Sequence, residues 1–119
     1  MAENITEEIY THICNAILEG KYPSGSRLPS SNDLSSNYKT ASQTALKALR
    51  KAASAGYAQK VRGVGYIVAN NAAERIKSER IEKLEQTVKA MLREGALIGI
   101  SKADIIEMCR RSSICDGTD

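Results

Sequence analysis

The sequence of 119 residues contains no tryptophan, no phenylalanine, two prolines, three cysteines and one histidine. Each scarcity excludes something. Five tyrosines are the whole aromatic content, so the core must be aliphatic, built from Ile, Leu, Val and Ala. A domain of this size buries about two-thirds of its unfolded surface, which leaves little apolar material for a deep catalytic cavity. Cys14, Cys109 and Cys115 are widely spaced and only His12 could join them. No C-x-x-C and no metal-ligand spacing results, so no metal site is expected. The lone His12 falls on a helix expected to face the core, so no Ser-His-Asp set, no catalytic residue and no cofactor are expected. Cys14, among Ile13, Ile17 and Leu18, reads as a small core residue, while a redox role for Cys109 and Cys115 stays open. No run approaches the roughly 18 apolar residues of a membrane helix. The first ten residues lack the basic-then-apolar profile of a signal peptide. The expectation is a cytoplasmic protein with no membrane partner.

The net charge of +3 hides an uneven distribution. Residues 1–20 hold four acids and no Lys or Arg. Residues 21–69 hold eight basic residues against one acid, Asp33, and residues 70–119 hold nine of each sign. A basic block inside a neutral chain suits a polyanion, and nucleic acid is the commonest one.

Apolar periodicity then gives the elements. Ile5, Ile9, Ile13, Ala16 and Ile17 lie on one face of a helix over about residues 5–19, which Gly20 stops. Lys21 to Ser26 is a turn-rich loop, and Arg27-Leu28-Pro29 is extended because the residue before proline avoids the helical region. Ser30 or Ser31 caps a short second helix ending near Asn37, with Asp33 completing a capping box. Thr40 is a candidate cap for a third helix over about residues 41–55, rich in the strong helix formers Ala and Leu. Gly56 ends it. Residues 57–61 and 66–69 read as two strands joined by a turn at Arg62-Gly63-Val64-Gly65.

Residues 72–94 are charged and helical. Ile81, Leu84, Val88 and Met91 recur at spacings of three and four, a seam of two heptads that implies a partner surface. Gly95 and Gly99 flank a short connection. Ser101 and Asp104 cap a last helix from Lys102 to about Arg111, and a frayed tail follows from Ser112. The fold class is mainly α (α+β): an N-terminal winged helix-turn-helix over residues 1–69, then a two-helix C-terminal dimerisation region over residues 70–119. In such a fold a helix fits the major groove of double-stranded DNA and its N-terminal residues reach base edges. The third helix would be the reader.

These residues resemble the GntR family of bacterial transcriptional regulators. The resemblance covers about residues 5–69. It rests on Ile9-Tyr10, Ile17 to Tyr22, Gly25-Ser26-Arg27-Leu28-Pro29-Ser30, Leu34, Thr44, Lys47-Ala48-Leu49, Gly56-Tyr57 and Gly63 to Val68. About fifty residues follow Ala69, fewer than most such regulators carry, so the chain looks like the short-tailed YtrA subfamily. That likeness implies a homodimer formed largely through the C-terminal helices, with Ile81, Leu84, Val88 and Met91 at the interface.

Two departures shape the expected site. Asn32 stands where the family usually shows an arginine, and Ala41-Ser42 where it usually shows Ser-Arg or Thr-Arg. Both arginines typically touch DNA. The remaining candidates for DNA contact are Arg27, Ser30, Ser31 and Asn32 around the second helix, Ser42, Gln43, Thr44 and Lys47 on the third, and Arg62 and Gly63 in the wing. Gln43 can pair with adenine in the major groove. Arg62-Gly63 can enter the minor groove, where arginine favours narrow A·T tracts, so an operator richer in A·T than the family average is expected. The partners expected are an operator duplex, a second copy of the chain, and a small-molecule effector of unknown identity or none. The competing class is a winged-helix protein-interaction module that has given up specific DNA binding.

Overall fold

The computed structural model describes residues 2–112. It contains five helices and one hairpin: α1 (Ala2–Leu18), α2 (Ser31–Tyr38), α3 (Ser42–Ser54), β1 (Ala58–Val61), β2 (Gly65–Val68), α4 (Ala72–Leu97) and α5 (Lys102–Arg111). The winged helix-turn-helix followed by two helices is therefore the architecture. The chain divides into two packing units, one ending at Glu79 and the other beginning at Arg80.

In the first unit the periodic face of α1 does what its spacing requires. Ile9, Ile13 and Ile17 are buried with Cys14, against Ala45, Ala48, Leu49 and Ala52 of α3. Alanine at three of those four α3 positions lets the helices approach closely. Leu28, Leu34, Tyr57, Tyr66 and Val68 close the core from the loop, α2 and the hairpin. Ala72 and Ile76, in the first turns of α4, belong to the same core, so packing carries the unit past residue 69, the end of the wing. His12 is an exception to its expected placement. It is exposed, and its ring meets Tyr38 edge-on at 6.1 Å between centroids. It lies one residue before Ile13, off the buried stripe.

The hairpin pairs antiparallel, from Ala58 opposite Val68 to Val61 opposite Gly65. The loop before α2 adds to the free edge of β2 through an Arg27–Ile67 bridge. Leu28 N–H donates to Tyr66 at 2.8 Å and Val68 N–H to Ser26 at 2.9 Å. The extended Arg27-Leu28-Pro29 segment thus ties the wing to the start of α2.

The capping box at Ser30 and Asp33 is present, and so is the one at Ser101 and Asp104. Thr40 does not cap α3. Its N–H donates to Ser35 at 3.0 Å and helps close α2, so Ala41 becomes the cap residue, without a side-chain bond. The first strand starts at Ala58 and the second at Gly65, each one residue from expectation.

In the second unit, α4 runs to Leu97 and Gly95 lies inside it rather than in a connection. A Cβ on Gly95 would sit 2.7 Å from Ile105 Cδ1, so the missing side chain is what lets α5 approach. Ile105 is accordingly buried. Cys109 is exposed. Cys115 and the tail beyond Ser112 lie outside the described residues.

Candidate nucleic-acid interface

The exposed residues of α3 are set by the same periodicity that buries its alanines. Ala45, Ala48, Leu49 and Ala52 face the core. Ser42, Gln43 and Lys47 are exposed and Thr44 is half-buried. The Thr44 N–H is taken up by the Ala41 carbonyl at 3.0 Å.

A cleft of about 200 Å³ opens between the wing, the start of α2 and α3. It brings together Arg27, Ser30 and Ser31 of the expected set, over an apolar floor of Leu28, Leu46, Leu49 and Tyr66. Lys60 lines it too, with its ammonium 6.0 Å from the Tyr66 ring centre. Lys60 was not among the expected contacts. The signal was weak but present: a lysine at a solvent-facing position of β1, two residues before Arg62. Gly65 has φ +120°, and a Cβ there would lie 3.6 Å from Arg27 Nε, so the arginine crosses the strand at a bare glycine.

Asn32, Arg62 and Gly63 are exposed but do not line this cleft. Arg62 and Gly63 sit in the hairpin turn, closed by a 2.9 Å bond from Val64 N–H to Val61 O. Among the described residues the expected set thus falls in the cleft, on the exposed side of α3 and at the wing tip, with Asn32 on α2 outside all three.

A wider groove of about 490 Å³ is lined by Glu7, Glu8, Thr11, His12, Asn15 and Tyr38. Two carboxylates make it a poor seat for a polyanion. Burial, then the Glu8 charge, raises the Tyr38 hydroxyl above its ordinary range, so it remains a neutral phenol there. Glu7 also pairs with Lys51 of α3, which in turn lies over the Tyr10 ring at 4.7 Å. Lys51 is thereby occupied on the α1 side.

The sequence profile of bacterial regulatory proteins of the gntR family matches residues 5–68, which spans the helix-turn-helix and the wing. The chain belongs to the GntR family. A GntR-family transcriptional regulator from Bacteroides thetaiotaomicron is 30% identical, with a TM-score of 0.70 over 89% of this chain and 93% of that one. A GntR-family regulator from Listeria monocytogenes shares the fold at a TM-score of 0.76, over 91% of this chain and 94% of that one, at 22% identity. The HTH-type transcriptional regulator TreR of Bacillus subtilis is 40% identical over 62 residues, 52% of this chain and 26% of that protein. The chain thus spans about a quarter of that curated relative's length. As a GntR-family member it is a transcription regulator. Among the described residues no helix is long and apolar enough to cross a membrane.

Proposed function

We propose that this protein is a sequence-specific DNA-binding regulator that acts as a cytoplasmic homodimer on a pseudo-palindromic operator and represses the genes it controls. The observation that carries the reading is the two-sided character of α3. One side is fully absorbed by the core, and the other offers Ser42, Gln43 and Lys47 to solvent at the helix's leading end. A helix N-terminus with amide and ammonium side chains is the shape and chemistry that the major groove accepts. Gln43 reads a base edge, Lys47 and Arg27 meet phosphates, and Arg62 with Gly63 approaches the minor groove.

Ser30, Ser31 and Asn32 would hold the backbone beside the second helix, with Lys60 added from the wing. Since Asn32 and Ser42 supply no arginine fork, the operator core is expected to be A·T-rich. Residues 1–69 form the reading part and residues 70–119 the dimerising part, as in short-tailed YtrA-like regulators. Ile81, Leu84, Val88 and Met91 are exposed along one stripe of α4, which favours a second copy as their cover. Two reading helices about 34–36 Å apart would match half-sites one helical turn apart. A small effector, if the protein has one, would act by shifting that distance.

The test is fluorescence anisotropy on a duplex that the wild-type protein selects from a randomised pool. Binding should weaken steeply with salt. Gln43→Ala should relax preference at one base pair and cost about 1–3 kcal/mol. Lys47→Ala should weaken all duplexes alike and lower the salt slope by about one. Absence of salt-sensitive binding to any duplex would favour the protein-interaction module, and a G·C-rich selected core would reject the A·T expectation.

A further inference from the structure

The polar side of α3 carries a leucine. Gln43, Leu46, Lys47 and Arg50 follow one another at i, i+3, i+4 and i+7, which places them on one face of a helix. A single helix brings side chains at that spacing to base edges in the major groove. Gln43, Lys47 and Arg50 are exposed, while Leu46 is half-buried. Leu46 packs against the core, yet the buried residues of α3 are Ala45, Ala48, Leu49 and Ala52. It also lines the cleft of about 200 Å³ between the wing, the start of α2 and α3. There Leu28, Leu49 and Tyr66 lie with it, beside Arg27 and Lys60. Two cations suit a phosphate. An apolar wall next to them does not, and asks for an apolar group carried close to the DNA backbone. The major groove presents one that depends on sequence, the C5-methyl of thymine.

We propose that Leu46 is a specificity-determining residue whose side chain meets the C5-methyl of one thymine in each half-site. This rests on the DNA-binding reading above, and it needs only one winged helix and one half-site. Leu46 lies about 4.5 Å along α3 from Gln43, at a rise of about 1.5 Å per residue. That is close to the roughly 3.4 Å between successive bases of one strand. The thymine therefore falls within one base pair of the pair that Gln43 reads. Gln43 selects by hydrogen bonds and Leu46 by shape: cytosine has no methyl to offer it. The two residues together favour consecutive A·T pairs, in a helix where Asn32 and Ser42 bring no arginine to guanine.

The experiment takes the full chain and the duplex that the wild-type protein selects. Each thymine of a half-site is replaced in turn by deoxyuridine, which removes the methyl and keeps the hydrogen-bonding edges, and affinity is read by fluorescence anisotropy. Wild type should lose about fourfold at one thymine beside the pair whose preference Gln43→Ala relaxes, roughly what burying one such carbon is worth, and little at the others. Leu46→Ala, which keeps a strong helix former, should bind the thymine and deoxyuridine forms of that position equally. Leu46→Met, close in volume, should keep part of the preference and serves if Leu46→Ala does not fold. The deoxyuridine series on wild type needs no variant at all. A wild type indifferent to every methyl would overturn the role of Leu46 while leaving the regulator reading intact. So would a selected half-site with no thymine beside that pair, or a methyl preference that survives in both variants undiminished. A wild-type protein that selects no duplex would overturn both.

Discussion

Up to Glu79 the chain buries most of its large aliphatic side chains in itself; from Arg80 onward most of them are exposed. In the first unit Ile9, Ile13, Ile17, Leu28 and Leu49 are each no more than 2% exposed. In the second, Ile105 is the large side chain that α4 and α5 manage to bury. Ile81, Leu84, Val88 and Met91 remain 40–63% exposed, and Leu97, Ile98, Ile106 and Met108 are exposed as well. Exposed apolar groups in a row call for a cover. The first unit therefore has a buried core of its own, and the second leaves an apolar stripe that the dimeric reading would cover. Predictions can be aimed at that contrast.

The largest effect is expected in the self-contained core. Leu49 lies on the α3 face that packs on α1 and is 1% exposed. Leu49→Ala should cost about 2–5 kcal/mol, the transfer term plus the cavity. Denaturant unfolding followed by circular dichroism measures it. The loss should be independent of protein concentration, because no partner chain fills the space. A loss that shrinks as concentration rises would mean that the first unit also depends on assembly.

The next effect is aimed at the open stripe. Leu84→Glu with Val88→Glu keeps two good helix positions but places charge on the seam. On the dimeric reading, sedimentation should show a dimer for wild type and a monomer for the variant. Operator affinity should fall by about a hundredfold as linked binding of two heads is lost. The first unit should keep its unfolding midpoint. A variant that remains dimeric would move the interface elsewhere and break the comparison.

The same contrast marks what could be read from residues in order. The α1 stripe, the two capping boxes and the exposed apolar stripe of α4 follow from spacing alone, because each is fixed by neighbours within one or two turns. The residues for the cleft were legible in part. Arg27, Ser30 and Ser31 came from their motif, but Lys60 meets them only through strand pairing, which brings residues about thirty apart together. Arg75, whose guanidinium donates to the Gly56 carbonyl at 2.7 Å and the Ala55 carbonyl at 3.2 Å, was silent for the same reason. Thr40 looked like a cap by residue type, yet the end of α2 claimed its N–H first. Gly95 looked like a break, and tertiary contact with Ile105 kept it in the helix instead.

The smallest effect tests a single turn of the first unit. Helices α1, α3 and α4 end with a glycine at positive φ, Gly20, Gly56 and Gly99. In each, the N–H of the glycine and that of the residue after it donate to carbonyls of the last turn, as Gly56 does to Ala53 and Tyr57 to Ala52, both at 3.0 Å. Helix α2 makes the same pair of bonds, from Lys39 to Ser36 at 3.3 Å and Thr40 to Ser35 at 3.0 Å. Its turning residue is Lys39, at φ 52° and ψ 51°. A side chain in that region costs roughly 1–2 kcal/mol, and glycine gives back about 0.5–1 kcal/mol through its freer unfolded state. Lys39→Gly should therefore stabilise by about 0.5 kcal/mol, a rise of roughly 2–4 °C for a unit of this size. Since the turn lies inside the self-contained unit, thermal melts across a range of concentrations should show the same rise. Operator affinity and its salt slope should not change, because Lys39 is outside the three groups proposed to meet DNA. A salt slope lower by about one would place this turn on a phosphate and extend the interface from the start of α2 to its end.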